Sequence, residues 1–558
     1  MIVLIYYFCW VIYLMSVPRL LHIMQLESYQ VDGFYRWILK NPKKAFKNTG
    51  IQFLSVIGIF FLTTIVFLIL KNMNIQLTYF ALFVQFALIA ITFFVANTVL
   101  ISKDKKEKAT AKKPLKYTAR AKRLYWSNFF IMVILEAVFS EFLGIGLNSA
   151  IYETNYIEYL KRIIIMYSFF IFTMPLNMIL ANGFIHPTET WINERYIKKA
   201  RKILKKKEYE NLIKIGITGS YGKTSTKFIL EKILSEKYNV LATPNSYNTT
   251  MGNVRVIREQ LKPEHQVFIS EMGARKVKDI KEICDFVHPD IGIITSIGPQ
   301  HLETFKKIEN VVKTKKELID GLTEKGIAVL PKDNEHCFNI YKEEKREKYL
   351  YSLSDRGADV YAKDIKVSPA GSTFKVVTKN GEFECTTKLL GEHNVQNILG
   401  CIAIAVELEL TNEQIKAGVS KIEPVEHRLQ ILPTNNGTTV IDDAFNSNPV
   451  GSKMALDIVK KFEGRKIIIT PGMVELGAEE KELNKEFGKQ IGNSMDIAIL
   501  VGTKRTEPIA EGIKETGFDQ MNIFVVPTLE EATKKLGSLT RAGDVILFEN
   551  DLPDNYNE

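Results

Sequence analysis

Gly216, Gly219 and Gly222 run into Lys223-Thr224-Ser225 within KIGITGSYGKTSTKFILEKIL. Those residue types at that spacing suit the holding of a polyphosphate. Glycine lets backbone N–H groups turn toward phosphate oxygens, and a helix beginning at the lysine adds the positive end of its dipole. Lys223 would reach the β- and γ-phosphates, and the Thr224 hydroxyl would bind Mg2+. The flanks fit: an apolar strand over 213–217 comes before, and a helix with Phe228, Ile229, Ile233 and Leu234 comes after. The strict motif would place glycine where this chain has Ile217.

Other groups that could do chemistry stand at the ends of predicted elements. VFISE ends in Glu271, and IGIITS leads through a Gly-Pro loop to His301. Both therefore follow the C-terminal ends of predicted parallel strands, where open α/β sheets place their sites. Lys315 lies in VVKTKKELIDGL, a predicted helix over 311–322. Segment 358–391 alternates as strands around Pro-Ala-Gly and Lys-Asn-Gly turns. Short apolar strands beginning near 438, 466, 497, 523 and 544 then alternate with helices, the pattern of a doubly wound sheet.

The N-terminal third reads differently. Apolar runs fall at 2–17, 52–70, 78–101, 127–147 and 163–184. A spanning helix needs about 20 apolar residues, so this reading predicts a bundle of about five transmembrane helices. The first run lacks both the basic start and the small-residue end of a signal peptide. Basic loops at 18–51 and 102–126 alternate with poorly basic ones, which predicts an outside N-terminus and a cytoplasmic C-terminal half. Glu136 and Glu141 would lie inside the fourth span, where a carboxylate needs a partner. Eight cations crowd 195–207, a flank suited to anionic lipid.

Charge follows the same division. Residues 1–182 hold 19 basic and 8 acidic side chains, leaving 54 and 55 for the rest. The excess points to a lipid surface, and the near-neutral remainder lacks the basic stripe of a nucleic-acid binder. Cys9, Cys284, Cys337, Cys385 and Cys401 form no CxxC, which excludes a disulfide scaffold and a cysteine-rich zinc site.

T-G-S-x-G-K-T-S resembles the ATP loop of the Mur ligases, which add amino acids or dipeptides to peptidoglycan precursors. Further segments match in order: TPNSYNTTMGN (243–253), VFISEMGA (267–274), IGIITSIGPQHLETF (291–305), LLGEHNVQNILG (389–400), PVEHRLQIL (424–432) and DDAFNSNP (442–449). The resemblance covers roughly residues 211–550. It implies that Gly219, Ser220, Gly222, Lys223, Thr224 and Ser225 cradle ATP. It implies further that Thr224 and Glu271 hold one Mg2+ and that His301 helps hold a second. Lys315 takes the place of a carbamylated lysine, a bidentate oxygen ligand for hard Mg2+. The family usually has Ala-Lys-Gly-Glu there, against Thr314-Lys315-Lys316-Glu317 in this chain. By the same resemblance Asn394 or Asn397 contacts adenine, Arg428 the phosphates and Asp443 the ribose. Asn446 would sit near the γ-phosphate, with Asn248 and Thr249 in the substrate loop.

NVQN, DDAFNSNP and GMVELG look most like the branch that adds D-alanyl-D-alanine to UDP-MurNAc-tripeptide. The expected architecture is a helical membrane region over 1–184 and a basic linker over 185–210. A P-loop α/β domain over 211–425 and a Rossmann-like α/β domain over 426–558 would follow. The expected activity is ATP-dependent amide formation with Mg2+ on a cell-wall precursor, with membrane lipids as further partners at the cell membrane and no nucleic acid. Two alternatives stay open: a ligase acting on a lipid-linked or other carboxylate acceptor, and a non-catalytic ATP-binding scaffold.

Overall fold

The computed structural model describes residues 17–43, 45–46, 65, 113–143, 156–244, 247–300, 302–435, 437–445 and 448–552. These form two compact units, one ending at Ile192 and one running over Asn193–Leu552.

The first unit is helical. Helices α1 (Val31–Lys40), α2 (Ala119–Phe142) and the start of α3 (Tyr156–Leu204) supply most of it. Thr118 opens α2, its hydroxyl accepting from Ala121 N–H at 3.2 Å. Leu21, Met24, Phe34, Leu124, Met132, Met174 and Met178 form its core. Arg123 clasps Glu189 through Nε and Nη2, at 2.5 and 3.0 Å.

Here the expectation of a membrane bundle is corrected. Among the described residues no helix is long and apolar enough to cross a membrane. α2 carries Arg120, Lys122, Arg123, Glu136 and Glu141 along its length, and α3 carries Pro175, Asn177, Asn182 and Pro187. The runs 2–17, 52–70 and 78–101 lie outside the described residues, Val17 and Ile65 apart. The expected cell-membrane location and lipid partners are corrected along with the bundle, because no described helix supports a span.

The second unit holds two sheets. The larger has order β2-β3-β1-β4-β5-β6-β7-β8-β9. Its strands are β1 (Ile213–Thr218), β2 (Val240–Ala242), β3 (Val267–Glu271), β4 (Ile291–Ile294), β5 (Ile327–Pro331), β6 (Lys348–Ser352), β7 (Val360–Ser368), β8 (Gly371–Thr378) and β9 (Gly381–Thr387). Pairing is parallel from β2 to β7 and antiparallel across β7, β8 and β9. Strands this apolar must be covered on both faces. One cover is α4 (Lys223–Leu234), with Ile229, Leu230 and Ile233 buried. Helices α5 (Thr250–Glu259), α6 (Asp279–Val287), α7 (Ile308–Asp320) and α8 (Glu392–Glu407) follow. α8 buries Val395, Ile398, Leu399 and Ile402 in the core that α4 shares.

The smaller sheet has order β10-β11-β15-β12-β13-β14. It comprises β10 (Gln430–Leu432), β11 (Thr439–Asp443), β12 (Lys466–Thr470), β13 (Ile497–Val501), β14 (Ile523–Val526) and β15 (Val545–Glu549). Pairing is parallel except between β10 and β11. Helices α9 (Pro449–Val459) and α10 (Glu480–Gly492) pack on it through Leu456, Val459, Phe487 and Ile491.

Candidate active site

β1 and α4 are joined by four residues, and α4 begins at Lys223. Gly222 caps it at φ +78°, a conformation that side chains with a Cβ rarely adopt. A Cβ on Gly219 would lie 2.0 Å from Thr295 Oγ1, so the loop packs against the end of β4 through bare backbone. The Lys223 ammonium donates to the carbonyls of Gly219 (2.7 Å) and Ser220 (3.1 Å). Burial pulls this ammonium down to about 8, with Glu271 opposing the shift and Arg428 adding to it.

The segment after β4 straps the loop. Ser220 N–H donates to Ser296 O at 2.7 Å, and Gly298 N–H to Ser220 Oγ at 3.1 Å. Tyr221 N–H donates to Ser296 Oγ at 3.2 Å, and the Tyr221 hydroxyl to Pro299 O at 2.7 Å. Thr295 Oγ1 closes the other side by donating to Tyr221 O. His301 follows this segment and lies outside the described residues.

Glu271 ends β3, opposite Ile217 of β1 in the ladder. Its Oε1 accepts from Thr224 Oγ1 at 3.0 Å and from Asn248 Nδ2 at 3.2 Å. Its Oε2 accepts from Lys227 Nζ at 3.1 Å. Sequence reasoning passed over Lys227, yet three residues after Thr224 on a helix is the same face. Tyr221 and Thr295 were also missed, because strapping by backbone carbonyls leaves no residue-type signal. Thr249, by contrast, uses its hydroxyl to cap α5, accepting from Gly252 N–H at 3.2 Å. Ser225 follows in the first turn of α4, half-buried.

Lys315 is buried on α7. Burial, then the charge of Lys223, hold its ammonium well below the usual lysine range against the pull of Asp279 and Glu317. The helix is fixed beside it: the Glu317 carboxylate accepts from the N–H groups of Lys278 (2.7 Å) and Lys281 (3.0 Å) at the start of α6.

At the first turn of α8, Asn394 Nδ2 donates to Leu390 O at 2.8 Å, so one of its donors is already used. Asn397 instead leans on the phosphate loop, with Oδ1 2.8 Å from where a Gly222 Cβ would be. Burial, then Arg428, bring His393 down to about 4. Arg428 comes from the segment between the sheets, its guanidinium 4.5 Å above the Phe445 ring. Burial lowers its affinity for the proton, opposed by Asp443, Glu271 and Glu549. Asp443 ends β11 beside Glu549 at the end of β15. Burial raises Asp443 to about 6, with Arg428 and the Leu429 N–H opposing. Asn446 lies outside the described residues.

Among the described residues no three His, Cys, Asp or Glu side chains gather to hold a metal. Thr224 and Glu271 offer hard oxygen, the donor type that suits Mg2+.

The chain matches the Mur ligase middle domain over residues 217–405 and the Mur ligase glutamate ligase domain over residues 427–549. It is 30% identical over 324 residues to the UDP-N-acetylmuramoyl-tripeptide–D-alanyl-D-alanine ligase of Haemophilus influenzae, covering 57% of this chain and 70% of that protein. The chain belongs to the Mur ligase family. This Mur ligase is also 33% identical over 288 residues to the protein of that name from Buchnera aphidicola, with 52% of this chain aligned. It spans 62% of that relative's length. Its fold matches MurF from Acinetobacter baumannii with a TM-score of 0.59 at 24% identity, over 65% of this chain and 78% of that one.

Proposed function

We propose that this Mur ligase is an ATP-dependent amide-forming enzyme of peptidoglycan precursor synthesis, joining D-alanyl-D-alanine to a UDP-MurNAc-tripeptide. The observation that carries the reading is the meeting of Lys223, Thr224 and Glu271 at the ends of two adjacent parallel strands. The names of the Haemophilus and Buchnera relatives support the choice of substrates.

The substrate carboxylate attacks the γ-phosphorus of ATP, giving an acyl phosphate and ADP. The amine of the dipeptide then attacks the acyl carbon, and the tetrahedral intermediate collapses to an amide as phosphate leaves. The Gly219–Gly222 backbone cradles the phosphates. Lys223 exchanges its two carbonyl partners for phosphate oxygens, and Arg428 faces the same charge from the segment between the two sheets. Thr224 and Glu271 would hold Mg2+, with His301 and Lys315 toward a second ion. When bound, the metal offsets charge on the transferred phosphoryl group. Burial favours the neutral amine of Lys315, the form that would take up CO2 as a carbamate and release a proton. Asn397 serves the adenine side, Asn394 closes the helix behind it, and Asp443 holds the ribose. Asn446 belongs near the γ-phosphate, and Asn248 and Thr249 line the acceptor loop.

The test is ADP release from purified protein given UDP-MurNAc-tripeptide, with and without D-alanyl-D-alanine. Release that depends on both is expected. Release indifferent to the dipeptide would overturn the reading.

A further inference from the structure

Lys227 and Glu271 are both fully buried, with their charged atoms 3.1 Å apart. Lys227 lies one helical turn beyond Lys223, and it shares with Thr224 the face turned to the end of β3. The Glu271 carboxylate is divided between two sets of donors. Thr224 and Asn248 take Oε1, and Lys227 takes Oε2. The backbone on either side is fixed as well. Glu271 N–H donates to Thr243 Oγ1 at 3.2 Å, and Glu271 O accepts from Asn253 Nδ2 at 3.1 Å. Asn253 is in turn held by the Ser270 hydroxyl at 2.7 Å. The carboxylate has little freedom to turn.

A buried carboxylate without a counter-ion is costly, and any divalent cation that reached it would be held strongly. The adjacent ammonium removes that attraction. A cation arriving alone then meets a nearly neutral pair. A cation arriving with a polyphosphate brings its own compensating charge and needs only the oxygen atoms.

We propose that Lys227 is a positioning residue that makes the cation site conditional on nucleotide. It cancels the charge of Glu271 so that free divalent metal binds weakly. It also holds Oε2, so that Oε1, the oxygen shared with Thr224, is the one offered to the metal–nucleotide complex. This rests on the reading of Thr224 and Glu271 as the residues that hold Mg2+.

The probe is Mn2+, followed by electron paramagnetic resonance of the unbound ion, with full-length protein and no nucleotide. Lys227→Met should bind Mn2+ at least tenfold more tightly than wild type, about 1.4 kcal/mol. The difference should shrink when ADP is present. Lys227→Arg keeps the charge and should bind as weakly as wild type. Lys227→Met combined with Glu271→Gln removes both charges and sets the baseline for other Mn2+ sites. A merely structural lysine would change binding in the opposite sense, because its loss would disorder the site. Unchanged or weaker Mn2+ binding in Lys227→Met, with thermal unfolding showing a folded protein, overturns the proposal. If methionine prevents folding, Lys227→Gln, a neutral donor, carries the same expectation. Glu271→Gln alone separates the two levels of inference. If it leaves Mn2+–ADP binding at wild-type strength, the assignment of Glu271 fails. If it weakens that binding while Lys227→Met leaves free Mn2+ unaffected, only the role of Lys227 fails.

Discussion

The Lys223 ammonium lies 2.7 Å from the carbonyl oxygen of Gly219, four residues back, so the side chain closes a ring over its own loop. Nucleotide must break that ring, and only the protonated form gains by exchanging carbonyls for phosphate. The free group titrates at about 8. Nucleotide affinity should therefore be flat at lower pH and fall by up to tenfold per unit as pH rises above about 8. Fluorescent-nucleotide titrations across that range check this, and Lys223→Arg should flatten the profile because guanidinium stays charged.

Lys315 is a buried amine with its charged form disfavoured. Lys315→Ala should lose nearly all ligation and recover part of it with added short carboxylates, which can occupy the vacated oxygen position. Lys315→Arg should not recover. Full activity in Lys315→Ala would remove the carbamate from the account.

Gly219→Ala would bring a methyl group to 2.0 Å from Thr295 Oγ1 and 3.1 Å from Ser296 backbone. The strap must then open. The expected result is a folded protein destabilised by roughly 1–3 kcal/mol, as other local backbone strain costs, with nucleotide binding lost. Denaturant unfolding and nucleotide titration read the two effects separately.

His393 titrates at about 4 in the folded chain, below the ordinary 6.5. The unfolded chain binds the proton more readily between those values, so stability falls as pH drops from 6.5 toward 4. His393→Asn should lessen that fall, measured as the melting temperature at several pH values.

Asn193–Leu552 is a compact unit with its own cores. A chain starting at Asn193 should unfold cooperatively and bind ADP as the full chain does. Loss of both would show that the helical unit is needed to complete it.

The phosphate loop was legible because three signals coincide: an apolar strand, glycines and a helix opening on Gly-Lys-Thr. Lys227 was not, because a lysine on a helix reads as solvated unless the acid waiting four strand residues along β3 is known. Thr249 and Asn394 also make backbone bonds that residue type alone does not announce. Threonine and asparagine bond equally well to a ligand or to nearby backbone, and here one caps α5 and the other ties to Leu390. The expectation of spans at 127–147 and 163–184 rested on apolar composition alone, and the helices over those residues also carry Glu136, Glu141, Pro175, Asn177 and Asn182.

β15 lies between β11 and β12, so the middle of the smaller sheet is made from a strand that follows β14 in the chain. During synthesis β11 and β12 must wait with open edges until residues 545–549 have left the ribosome. The larger sheet, complete by Thr387, is under no such delay. The nucleotide-loop half should therefore fold during translation before the second half can complete its sheet. A chain stalled before residue 545 would leave β11, still paired to β10, and β12, still paired to β13, each with one open edge, the kind on which aggregation begins.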